Sequence, residues 1–206
     1  MIRFFYLLLL ASTFAQAEPA WDWSEAVRYQ ENHDPGLITL TDGREVHVEY
    51  AGIPWEVVNA WQSGKPLVLG YKMGAGVVLF DPASEKSIPV LHGLGDRHPI
   101  DLIVARCRER DETTSASANC YVMGRDHWDK ELNRAYAVLL ASLDEPHREP
   151  VRVSQRQWLK FRDAELAALG HIYDRSGTMW LIVCAARRME LIRERALRMG
   201  ILYSEW

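Results

Sequence analysis

The 206-residue chain has little cysteine, no long apolar run and no excess of positive charge. Each shortage closes a possibility. Its three cysteines, Cys107, Cys120 and Cys184, have no zinc-site spacing, and three cannot all pair within one chain. No stretch reaches the roughly 20 apolar residues that a membrane-crossing helix requires. Lys and Arg number 24 against 28 Asp and Glu, and neither half carries the basic stripe of a nucleic-acid binder. Internal repeats and low-complexity tracts are missing as well.

The motifs of common catalysis are equally scarce. Seven histidines occur, at 33, 47, 92, 98, 127, 147 and 171, but none sits in an H-E-x-x-H pattern. There is no G-x-S-x-G elbow, and "GYKMGAG" lies between strand patterns instead of opening a helix over a phosphate. "HDPG" and "HPID" pair a His with an Asp, yet their Pro and Gly mark loops. Acidic residues are plentiful, but spacing alone does not bring two of them across a substrate. We therefore expect no enzyme activity, no catalytic residues, no metal and no cofactor.

What is present is an ordinary globular composition, 48% hydrophobic and 25% charged. The opening "MIRFFYLLLLASTFAQA" places Arg3 before the apolar run Phe4 to Leu10 and ends in Ala15-Gln16-Ala17, a signal-peptidase pattern. Residues 1–17 are expected to be a signal peptide, with a periplasmic or secreted mature chain from Glu18. That compartment favours cysteine pairing. From Glu18 to His98 the chain has 12 acidic and 6 basic residues, and from Pro99 to Trp206 it has 16 and 17. The acidic half would suit a cationic partner, although a solvated surface has the same signature.

The two halves also differ in period, which predicts an α+β fold of two domains, 18–98 and 99–206, meeting at "GLGDRHPID". In the first, "LITLTDGREVHVEY" reads as two strands joined by Asp42-Gly43, a hairpin signal. "IPWEVVNAWQSGK" reads as a short helix with Pro54 at its start, Gly64 at its end and Trp55, Val58 and Trp61 inward. "LVLGYKMGAGVVLFDP" adds a second hairpin, and "SIPVLHG" adds an edge strand carrying Pro89. The first half is thus a small antiparallel β-rich unit with one short helix.

The second half predicts a three-helix antiparallel bundle. Trp128, Leu132, Ala135, Tyr136, Leu139 and Leu143 share helical spacing over residues 117–143. Pro146 and Pro150 break that pattern. A second helix runs from about Val151 to Leu169, and a third from Thr178, as N-cap, to about Met199, with Ile182, Ala186, Met189, Ala196 and Met199 inward.

Within these helices "ANC", "ELNRAYAVLL", "QRQWLKFRDAEL" and "VCAARRMELIRERALRM" follow one another in order. They resemble the lysozyme-inhibitor LprI-type family of exported bacterial proteins over roughly residues 107–200. The resemblance is carried by Cys120, Leu132, Asn133, Tyr136, Gln155, Arg156, Trp158, Arg162, Asp163, Cys184 and Arg193. The β-rich half lies outside it. The family pattern has a cysteine shortly after its Arg-Asp pair, where this chain has Leu166. The resemblance therefore implies a Cys107–Cys120 disulfide and leaves Cys184 as a free buried thiol.

One face of "QRQWLKFRDAEL" joins Gln155, Trp158, Arg162 and Glu165, an unusual stripe for a helix packed in a bundle. In a thin bundle such polar edges reach neighbouring helices, so we expect Arg162 to lie over Trp158 as part of an inter-helix clamp. The competing reading makes Arg162 an exposed ligand-binding residue. Trp21 and Trp23 dock the N-terminal arm or, alternatively, offer a platform for sugar rings.

Functionally, the resemblance implies a binding protein that blocks lysozyme or another cell-wall glycosidase, whose cleft works with two carboxylates. "HIYDRSGT" is the contact we expect, with Arg175 and Ser176 at its tip, unless that loop is a plain connector. The alternative function is a cell-envelope module that binds glycan or protein without inhibiting.

Overall fold

The structure, a computed structural model, describes residues 20–34, 36–49 and 55–206. The expected signal peptide, its cleavage point and Pro54 lie outside the described residues, as does the side chain of Trp55.

The fold is α+β, but its first part is a closed barrel and not a small sheet. Six antiparallel strands, β1 (Trp23–Asp34), β2 (Leu37–Leu40), β3 (Glu45–Val48), β4 (Pro66–Lys72), β5 (Gly76–Asp81) and β6 (Lys86–His92), follow the order β1-β2-β3-β6-β5-β4 around it. Their alternation fills the interior: Ile38 and Leu40, Val46 and Val48, Leu67, Leu69 and Tyr71, Val77 and Leu79, Ile88 and Val90 are all buried. The expected hairpins form.

Closure depends on β1, whose sequence reads as an N-terminal arm. It pairs with β4 from Trp23↔Tyr71 to Arg28↔Pro66 and with β2 from Tyr29↔Leu40 to Asp34↔Leu37. Its buried series Trp23, Val27 and Tyr29 is interrupted by the half-buried Glu25, which obscures the strand period. Likewise β6 is no edge strand. It lies between β3 and β5, and Pro89 sits beside the irregularity in the β3–β6 ladder, where its carbonyl accepts from Glu49. A proline missing its N–H is tolerated at such a break.

Helix α1 (Trp55–Asn59) is shorter than the reach to Gly64 predicts. After a 3-10 turn at Gly95–Arg97 come four helices and not three: α2 (Pro99–Arg110), α3 (Thr114–Ser142), α4 (Glu145–Ile172) and α5 (Met179–Ser204). The segment read as a domain boundary is in part α2. Pro99 occupies the position where a helix loses nothing by lacking an N–H, and His98 caps the start by accepting from Ile100 N. Helix α2 buries only Pro99, Ile100 and Val104, so its sequence shows a weak stripe. Helix α4 starts at Glu145, ahead of the expected Val151. Pro146 fits its first turn, and Glu145–Arg148, Glu145–Arg152 and Glu149–Arg156 pairs at 2.7–3.1 Å brace the turns around Pro150.

Helices α3 and α5 pack directly on each other at the centre of the helical part and run in the same direction, while α4 runs the opposite way on the outside of α5. At Gly124 of α3 an added Cβ would meet Val104 of α2 at 2.4 Å and Met189 of α5 at 2.6 Å. Only a missing side chain lets three helices approach this closely. One buried cluster continues from the barrel through Leu94, Ile100 and Trp128 to Met199, and Gly200 of α5 packs on the Leu91 carbonyl of β6. Among the described residues, no helix is long and apolar enough to cross a membrane.

Candidate functional site

Two polar clusters lock the frame that carries the site. The Trp128 indole of α3 donates to Asp101 Oδ1 of α2 at 3.1 Å, and Arg193 Nε of α5 donates to Asp101 Oδ2 at 2.9 Å. The Arg193 guanidinium lies 5.6 Å from the Trp128 ring, and the buried His98 ring packs on the same indole at 4.3 Å. Burial raises the Asp101 carboxyl above its ordinary value, while Arg193 and the indole work against that rise. His98 is pushed down to about 3 by burial and then by Arg193 and Arg134, so it stays a neutral cap and stacking ring.

The second cluster joins α3 to the barrel. Buried Glu131 takes both nitrogens of Arg134 at 2.6 and 3.0 Å, and Arg134 reaches the Val90 carbonyl at 3.4 Å. Tyr71 and His127 meet at 2.9 Å beside them. Burial, reinforced by Glu131, raises the Tyr71 phenol far above its usual range and keeps it neutral. Each cluster ties helix to helix or helix to barrel, and Asp101 and Arg193 of the first also line an open cleft of about 410 Å³ with Glu190 and Tyr121.

Cys107 of α2 and Cys120 of α3 are bonded, with Cα atoms 5.7 Å apart. Cys184 is free and partly exposed, not buried, with its thiol 3.8 Å from the Leu169 carbonyl. Leu132 is buried, and Asn133 donates to the Asp129 carbonyl one turn back on the outer face of its own helix. Tyr136 packs against the core from its edge.

On α4 the inter-helix bonds run through Gln155. Its buried side chain accepts from Arg195 of α5 at 3.0 Å, and Arg195 also reaches Ser154 at 3.3 Å. Trp158 carries two guanidiniums, Arg195 at 5.5 Å and Arg162 at 5.6 Å. Arg162 bonds to its neighbour Asp163 and not across to another helix, and Arg156 pairs with Glu149. Trp23 is buried in the core, while Trp21 packs edge-on to Phe80, so the two rings do not share an exposed platform.

The loop between α4 and α5 gathers aromatic, cationic and apolar side chains. Tyr173 and Trp180 stack at 5.9 Å, and the Arg175 guanidinium lies 4.9 Å from the Trp180 ring. Arg175 Nε donates to the Ile172 carbonyl at 2.9 Å, and Gly177 at φ 109° turns the chain into α5. Arg175 and Ser176 are exposed, and no carboxylate pairs with Arg175 among the described residues. Ile172, Met179 and Leu181 surround them at 50–61% exposure. Tyr, Trp and Arg held in place with apolar neighbours are the residue types that dominate protein–protein contacts.

Disulfide, helix order and motif positions all fall in one segment. Residues 106–199 match the family described as Lysozyme inhibitor LprI. The LprI segment thus runs from α2 to the last turns of α5, and the barrel lies outside it. No curated protein and no solved structure shows a significant match to the chain. The sequence pattern marks Trp128 and Arg193 but neither Asp101, which joins them, nor the Glu131–Arg134 pair. Only the i, i+3 spacing of Glu131 and Arg134 signalled a contact.

Proposed function

We propose that this protein is exported, with cleavage after Ala17, and inhibits lysozyme or a related cell-wall glycosidase by binding it. The LprI match over residues 106–199 carries the reading, and the Cys107–Cys120 disulfide agrees with an oxidising compartment. The α4–α5 loop is the contact: Arg175 and Ser176 offer a cation and a hydroxyl to a carboxylate-lined cleft, and Ile172, Met179 and Leu181 cover the rim. Because Trp180 and the Ile172 carbonyl already hold Arg175, little side-chain freedom remains to be lost on binding. The acidic segment 18–98 would steer a cationic glycosidase toward the complex.

The test is a lysozyme assay on peptidoglycan with the purified full chain. Loss of activity that saturates at one inhibitor per enzyme is the expected result. Undiminished lysis at a severalfold excess would refute it, and glycan retention under the same conditions would favour an envelope-binding module.

A further inference from the structure

Between the N-terminal parts of α3 and α5 lies a cleft of about 320 Å³, at the small end of ligand pockets. Ala118 and Val122 on α3 and Leu181 and Ala185 on α5 make its apolar walls. Arg125 and Arg188 supply its charge, and no Asp or Glu lines it. The two arginines differ. Arg125 already pairs with Asp126 at 2.8 Å. Arg188 has no ion pair or hydrogen bond among the described residues, and its Nε is buried without a partner. Its terminal nitrogen is packed close over Gly170 of α4, where an added Cβ would come within 3.1 Å.

Arg188 is half-buried, and its Nε, shut off from water without an acceptor, is an uncompensated donor. A neutral apolar ligand would leave Arg188 unpaired, and a bare anion would leave the walls wet. We infer that this cleft binds a small amphipathic carboxylate, its head on Arg188 and its aliphatic chain along Val122 and Leu181. The head position is distinct from Arg175 and Ser176, while Leu181 is shared with the rim proposed for the glycosidase.

Cys184 lies on the same lining and reports occupancy. The full chain, disulfide intact, is titrated with octanoate, 1-octanol or inorganic phosphate. Binding is followed by calorimetry and by the rate at which a neutral maleimide alkylates Cys184. Octanoate should bind saturably and slow alkylation, with octanol and phosphate each at least about tenfold weaker. Arg188→Gln should weaken octanoate by about tenfold or more, and Arg125→Gln by less. Should Arg188→Gln fail to fold, Leu181→Asp decides the matter, since it sets a carboxylate on an exposed wall and should abolish binding. The inference is overturned if octanol or phosphate equals octanoate, if octanoate gives no protection at millimolar concentration, or if the folded variants bind it unchanged.

Discussion

Helices α3 and α4 are nearly equal in length, 29 and 28 residues, but they are held by different forces. Helix α3 buries eight residues, among them Trp128, Leu132, Ala135 and Leu139, and sits in both polar clusters. Helix α4 buries only Gln155 and Leu169, and leaves Val153 and Phe161 at 42% and 54% exposure. It is retained by the Gln155–Arg195 bond, by Trp158 beneath two guanidiniums and by the Arg148 bond to the Leu140 carbonyl of α3. A rigid α2–α3–α5 core with a lightly attached α4 places the α4–α5 loop where it can meet a partner without disturbing the core.

The contrast predicts a steep gradient of mutational cost. Trp128→Ala should be the most damaging, at about 3–5 kcal/mol, since it removes a fully buried indole and the bond to Asp101. Denaturant melts measure this directly, and a loss below about 1 kcal/mol would dissolve the distinction between core and attachment.

Acid should act through the same core. His98 is held neutral with its proton affinity pushed down to about 3, against about 6.5 when unfolded. The unfolded chain takes up that proton first, so stability falls as pH drops from about 6.5 toward 3, by about 1.4 kcal/mol per unit from this residue. His92, pushed down to about 4 by burial and by the stacked His47, acts in the same direction. Asp42 and Asp81, whose carboxyls are lowered, lose their contribution only below the carboxylate range, and raised Asp101 acts oppositely. His98→Asn keeps a side chain able to cap α2 and should flatten the profile between pH 6 and 4.5. Thermal melts of the variant that track the parent's slope would count against this assignment.

Asp101→Ala leaves the Trp128 indole and Arg193 without their shared acceptor and should destabilise by about 1–3 kcal/mol. On α4, Arg195→Ala should be milder, at about 1 kcal/mol. Arg162→Ala should be mildest, below about 1 kcal/mol, because its partner Asp163 is an exposed neighbour on the same helix. Reversal of this order in parallel melts would mean that α4 is an integral wall of the core.

The same contrast explains how much the sequence disclosed. Strongly periodic elements were readable: the inward stripe of α3, the Met189, Ala196 and Met199 line of α5, and the β2–β3 and β4–β5 hairpins all stand where their patterns put them. Elements whose apolar signal is diluted were not. In β1 Glu25 interrupts the period to meet Arg44 and Arg97 at 3.0 and 2.6 Å, and α2 leaves four of its five charged residues exposed. Barrel closure was hidden for the same reason, since it needs β1. Cluster residues far apart in sequence, such as Asp101 and Arg193, have no local pattern at all. On α4 the odd mixture of Gln155, Trp158 and Arg162 did signal an inter-helix contact, but the cation reaching across is Arg195, 40 residues from Gln155.

A kinetic binding series against lysozyme tests most directly whether the α4–α5 loop is the contact. With Arg175→Ala the dissociation rate should rise about tenfold or more, as loss of a held arginine at an interface centre does. Ser176→Ala should add a smaller increase, and salt should mainly slow association by screening the acidic 18–98 segment. Unchanged dissociation of the double variant, with tight binding retained, would contradict the account and move the contact to another face.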